Sequence, residues 1–185
     1  MSHPSHTFEA LANALGIDLK RLPPGTLIDG MPADAAAAGI QVQRKPGQIR
    51  ITIPGPPPGK PRMTRRDKWA KRPAVARYRA WCDRVRSGAG TIPAASSVTS
   101  VDWCAYFEPP RSWPKKKRVA AIMELHRDKP DRDNIDKAVL DCLWPRGDSA
   151  IAQGLIVKRW AWVARMEINI RYQESVAPEG RLDTE

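Results

Sequence analysis

Asp131-Arg132-Asp133-Asn134-Ile135-Asp136-Lys137-Ala138-Val139-Leu140-Asp141-Cys142-Leu143-Trp144-Pro145 is the most legible stretch of this 185-residue chain. Ile135, Ala138, Val139, Cys142 and Leu143 recur at i, i+3, i+4, i+7 and i+8, the period of a helix with one apolar face. Asp133 or Asn134 suits the N-cap, where a short side-chain oxygen accepts from an unpaired backbone N–H. Pro145, which lacks an amide hydrogen, stops the run. The spacing predicts a helix over 133–144. Its apolar stripe needs another layer to cover it.

Working outward, the flanks supply strands. Ile49, Ile51 and Ile53 alternate with polar residues from Gln48, the mark of a half-buried strand, until Pro54-Gly55-Pro56-Pro57-Pro58-Gly59 ends it. Val75, Tyr78, Cys82 and Val85 share one face of a helix expected over 74–86. A second strand is expected over 98–107, with Val101, Trp103, Ala105 and Phe107 on one face. A short helix follows, with Ser112 as cap and Pro114 in its first turn, running to about Leu125. Beyond the central helix, 151–163 reads as a mostly apolar strand, and 165–172 as the last strand, with Met166, Ile168 and Ile170 aligned. The order β-α-β-(α)-α-β-β predicts an α+β domain, a mixed β-sheet with helices packed on it. This domain is expected over 48–173. Residues 1–47 read as an N-terminal appendage with one short helix (Phe8, Leu11, Ala12 and Leu15 in step), and 174–185 as a loose C-terminal tail.

The formal charge of +11 and a pI near 10.0 point to a polyanionic partner, because basic side chains displace counterions from phosphates. Cys82, Cys104 and Cys142 are odd in number and far apart, which argues against a disulfide framework or a cysteine zinc site and suggests reduced thiols in the cytoplasm. His3, His6 and His126 form no metal-ligand spacing. No apolar run approaches the ~20 residues of a membrane span, and Met1–His6 lacks a signal-peptide pattern. No membrane association is expected.

Asp131 and Asp133 stand two apart just before the helix. In an extended segment alternate side chains share a side, and Pro130 biases Lys129 towards extended backbone. Two carboxylates on one side suit a hard divalent cation such as Mg²⁺, which can activate water and stabilise charge on a phosphodiester. Lys137 lies one turn beyond Asp133, placed to steady the carboxylates or the transition state, and the helix N-terminus favours a phosphate there. The same residues have plainer uses: Asp133 as a cap, Asp131 as a solvated loop residue, Lys137 in surface pairs with Asp133 or Asp141. Lys60, Arg62, Arg65, Arg66, Lys68, Lys71 and Arg72 surround Trp69, and Lys115, Lys116 and Lys117 adjoin Trp113. Both clusters suit phosphate contacts, and Trp69 and Trp113 are either stacking platforms for unpaired bases or core residues. Trp81 and Trp103 read as core. Gly55–Lys60 lacks the spacing of a nucleotide-binding P-loop.

Lys129-Pro130-Asp131-Arg132-Asp133-Asn134-Ile135 with Lys137 and Asp141, followed by Asp148-Ser149 and Ile151, resembles the signature of the RusA-type Holliday-junction resolvases. Pro110, Ser112-Trp113 with its lysine run, and the proline-rich loop after the first strand resemble phage-borne members. The resemblance covers about residues 48–172. It implies a homodimer that binds four-way DNA junctions and cuts them with paired nicks in recombination and repair, using Mg²⁺ or Mn²⁺. It also implies Asp131, Asp133, Lys137 and Asp148 as catalytic residues, with the three aspartates as metal ligands. Gly147-Asp148 replaces the two adjacent aspartates usual in the family, and Ala150 a common Gln. A helix over 134–143 carries the chain roughly 14 Å from Asp133, and residues 144–148 return at most ~17 Å, so Asp148 rejoins the site only through a tight turn or an early helix end. Asp141 is the fallback. Two other readings stay open: a catalytically inactive junction- or DNA-binding protein, and an Asp-x-Asp glycosyltransferase, which the basic charge and the absence of a nucleotide-binding βαβ unit disfavour.

Overall fold

The computed structural model describes residues 39–68 and 72–174. The expected N-terminal helix, Trp69, Lys71, the side chain of Lys68 and the tail beyond Glu174 lie outside what is described.

One mixed five-stranded sheet organises the domain: β1 (Gln41–Lys45), β2 (Gln48–Pro54), β3 (Val98–Phe107), β4 (Ile156–Trp160) and β5 (Arg165–Tyr172), in the spatial order β1-β2-β5-β3-β4. Only β3 and β4 run parallel. Among the described residues three α-helices accompany it: α1 (Pro73–Ala89), α2 (Lys115–Ala121) and α3 (Arg132–Leu143). This is the α+β arrangement the sequence predicts.

Alternation decides which face of the sheet is covered. Ile49, Ile51 and Ile53 of β2 align with Ile170, Ile168 and Met166 of β5, and those with Val101, Trp103 and Ala105 of β3. All nine are buried. Against them pack Tyr78, Trp81, Cys82 and Val85 of α1 and Ile135, Ala138, Val139 and Cys142 of α3, in one core cluster. Trp81 and Trp103 are core residues, as expected. Fully burying aliphatic side chains of this size contributes roughly 1.5–3 kcal/mol each, so the apolar stripe of α3 is what holds that helix on the sheet. Pro73 occupies the first turn of α1, where its missing N–H costs nothing. The three cysteines are unpaired.

Four expectations need correction. The residues of β1 fall in the segment expected to be an appendage. β1 is an edge strand joined to β2 through Pro46-Gly47, with Gly47 at φ +66°, a backbone that suits Gly after Pro in a tight turn. It was illegible because only one flank packs, so its burial follows no period of two. The strand expected over 151–163 shortens to 156–160. Residues 153–155 still run along β3, where Gln153 and Leu155 accept from the amides of Val101 and Trp103. The returning donor is diverted, however, because the Leu155 amide bonds the Asp102 carboxylate instead of a backbone carbonyl. The helix near 112–125 is shorter, begins after Pro114 and has no side-chain cap, so Ser112 is not its N-cap. It ends because the following backbone is used elsewhere: Met123 and His126 donate to Trp160 and Lys158, covering the outer edge of β4. Finally, the N-cap of α3 is Asp131, not Asp133 or Asn134.

Candidate active site

Asp131 has extended backbone (φ −65°, ψ 147°), whereas Asp133 already lies inside the first helical turn. The expected two-residue alternation of an extended segment therefore does not relate them; both instead flank the start of one helix. The carboxylate of Asp131 makes no capping bond. Both residues are exposed, and among the described residues neither carboxylate enters a side-chain hydrogen bond or ion pair.

The other two carboxylates of α3 are occupied. Asp136 accepts from the indole Nε1 of Trp103 at 2.9 Å. Asp141 pairs with Lys60 and lies 4.0 Å from the ammonium of Lys137. Lys137 thus takes the surface pairing with Asp141, on the polar flank where the helical spacing puts it, and remains more than half exposed.

Backbone contacts hold the approach to Asp131. Lys158 Nζ donates to the carbonyls of Asp128 and Pro130 at 2.7 and 2.8 Å. The Lys129–Pro130 peptide is cis. His126 stacks on Phe107 with ring centroids 4.1 Å apart and lies 4.2 Å from Trp160. Burial, and then the Lys158 ammonium, push the His126 pKa below its ordinary value. At the far end of α3, Arg86 of α1 donates to the carbonyls of Cys142 and Asp141, satisfying groups a helix C-terminus leaves open. Lysine at position 158 was readable only as an interruption in an apolar strand; its role depends on β4 lying beside the loop before α3, which no local pattern encodes.

Asp148 follows Gly147 (φ +102°) in a single 3-10 turn after α3. Gly147 packs near Ala95, before β3, so the turn after α3 lies beside the start of β3. A twelve-residue helix spans about 18 Å. Among the described residues, no three His, Cys, Asp or Glu side chains converge as a metal-holding group. Asp148 does lie close enough to Lys60 for its charge to favour the ammonium.

Of the basic residues singled out in the sequence, Arg62, Arg65, Arg66, Lys115, Lys116 and Lys117 are exposed. Lys117 covers the ring of Trp113 at 3.9 Å, and Trp113 in turn packs on Trp160 at 5.2 Å, so this tryptophan is half committed to the fold. Arg72, expected as a phosphate contact, also braces its own loop. Its guanidinium is committed to both oxygens of the buried Asp67 and to the Arg62 carbonyl. Asp67 is held ionised well below the usual carboxylate range, first by Arg72 and then by the Thr64 amide.

A family profile, that of Endodeoxyribonuclease RusA, matches residues 54–171, well over half of the chain. The chain belongs to the RusA endodeoxyribonuclease family. No individual curated protein matches it. The matched RusA segment begins at the end of β2 and runs into β5, so it contains α3 and every site residue discussed above. Membership implies endodeoxyribonuclease activity, which accounts for the chain's net charge of +11. Among the described residues no helix is long and apolar enough to cross a membrane.

Proposed function

We propose that this RusA-family protein resolves four-way DNA junctions by paired nicks, serving recombination and repair, and that Asp131 and Asp133 hold the divalent cation, Mg²⁺ or Mn²⁺, that the reaction uses. The observation that carries the reading is the division of labour on α3: Asp136 and Asp141 are bound by the protein's own donors, whereas Asp131 and Asp133 stand exposed at the helix start.

The donor chemistry fits in part. Two hard carboxylates suit a cation that keeps several waters and takes few protein ligands. When bound, such an ion supplies Lewis acidity and a more acidic water. Asp148 is the proposed third ligand, although among the described residues no three such side chains form a ready-made metal group. The chain's own residues do the rest. Amides at the α3 N-terminus offer donors to a phosphate oxygen. Lys137, one turn along, brings positive charge to the same flank. Arg62, Arg65, Arg66 and the Lys115–Lys117 run bind the arms through phosphates, which orients the substrate without reading sequence. A junction with two-fold symmetry and two nicks calls for two copies of the site, so the working unit is proposed to be a homodimer.

The test is a synthetic four-way junction incubated with purified protein. Symmetric nicks are expected in Mg²⁺ or Mn²⁺ and none in excess chelator, with sedimentation reporting a dimer. Gly147 in place of a second aspartate, with no three-ligand group among the described residues, favours one other reading, a junction-binding protein without catalysis. Tight binding with no nick in either metal would establish that reading and refute the first.

A further inference from the structure

We propose that Lys60 and Asp141 form a positioning pair that locks the basic loop after β2 onto α3, keeping the phosphate-binding residues in register with Asp131 and Asp133. The proposal rests on the nuclease reading above and adds to it a role for two residues outside the acidic site. Three contacts on one flank of α3 carry it. The Lys60 amide donates to the Asn134 carbonyl at 2.9 Å. Gly59 lies so near the helix start that an added Cβ would meet the Pro130 Cβ at 3.0 Å and the Asn134 Cβ at 3.6 Å. The Lys60 ammonium then reaches along the helix to Asp141.

An exposed Lys–Asp pair contributes little to stability. This one differs in geometry, because both side chains are three-quarters covered and the lysine is already tied at its backbone. Asp141 also faces Lys137, so its negative charge lets two ammonium groups share one flank; burial and Lys137 both weigh against the charge on Lys60. Arg62, Arg65 and Arg66 lie within two turns' reach of chain beyond Lys60, so a loosened loop would misplace the substrate. Misplacement by ~1 Å is enough to cost on the order of a hundredfold in rate.

Kinetics of junction cleavage by Lys60→Met, Asp141→Asn, the double variant and Lys60→Arg test the idea. Each single change is expected to lower kcat about ten- to a hundredfold with KM little altered. The double variant should be no worse than either single, and Lys60→Arg should recover most of the activity. If Lys60→Met instead raises KM and flattens the salt dependence by about one phosphate, while Asp141→Asn tightens binding, Lys60 is an ordinary phosphate contact and the proposal falls. Should the natural protein cut nothing, the nuclease reading fails separately. Hydrogen exchange at residues 59–66 of the free protein then decides: faster exchange in Asp141→Asn upholds the lock, and unchanged exchange overturns it.

Discussion

Along its flank and at its C-terminal end, α3 is anchored: Asp136 accepts from Trp103, Asp141 faces two lysines, and Arg86 takes the last carbonyls. At its N-terminal end Asp131 and Asp133 have no such partners among the described residues, although the helix is one continuous element and the residue type is the same. The contrast separates two uses of a carboxylate. A partnered one is part of the fold, since removing it strands a donor that has already left water. An exposed one at a helix start gains only the modest pull of the helix N-terminus and remains available to an external cation.

The largest effect expected from breaking this contrast is at the open end. Asp131→Asn or Asp133→Asn removes charge where the cation is proposed to sit, and should lower single-turnover junction cleavage by on the order of a thousandfold, several kcal/mol of barrier. Thermal unfolding should move by no more than about 0.5 kcal/mol, as for a surface change. Cleavage within threefold of the natural protein would remove both residues from the site. Asp148→Asn sharpens the same point. With no three-ligand group formed among the described residues, it should cost less than either, and a loss equal to theirs would mean that the cutting state brings the third carboxylate in.

The anchored end predicts the reverse pattern. Asp136→Ala leaves the buried Trp103 indole N–H without its acceptor, a loss of about 1–3 kcal/mol, read as a lower urea midpoint at unchanged slope. Cleavage per folded molecule should stay within a fewfold. A variant that folds as well as the parent but does not cut would place Asp136 in the chemistry instead.

How much of this was legible beforehand follows from the range of each interaction. α3, β2, β3 and β5 were readable because burial writes a local period into the sequence, as in Ile49, Ile51 and Ile53, and their bounds match the structure closely. β1 was not, because an edge strand with one packed flank has no such period. Asp131 and Asp133 stood out through spacing and resemblance. What spacing did not encode was which acidic residues the fold consumes. Trp103 reaching Asp136, Lys60 reaching Asp141 and Arg72 closing on Asp67 are decided by tertiary neighbours, and the last of these makes Arg72 a loop brace. The cost of the short connection after α3 was visible as a distance, and the structure resolves it as a 3-10 turn beside the start of β3.

The smallest expected effect concerns the loop that carries Asp131 to the open end. His126 is 5% exposed, stacked on Phe107 and tilted against Trp160, with Nδ1 unpartnered. The Lys158 ammonium opposes its protonation and Asp128 favours it, with burial the larger influence, so its folded pKa lies below the ordinary 6.5. The unfolded chain therefore binds the proton more readily than the folded one. Stability from this residue is complete above pH 6.5 and declines as the pH falls through 6.5 towards the folded value. Urea unfolding from about pH 8 to about pH 5 should show that decline, and His126→Phe, which keeps a ring against Phe107, should flatten it. Hydrogen exchange places the effect: acid should loosen residues 123–131 at the approach to α3 while the amides paired near Arg86 hold. Equal loosening at both ends would mean that the helix responds as a unit, and that the open end is no more labile than the anchored one.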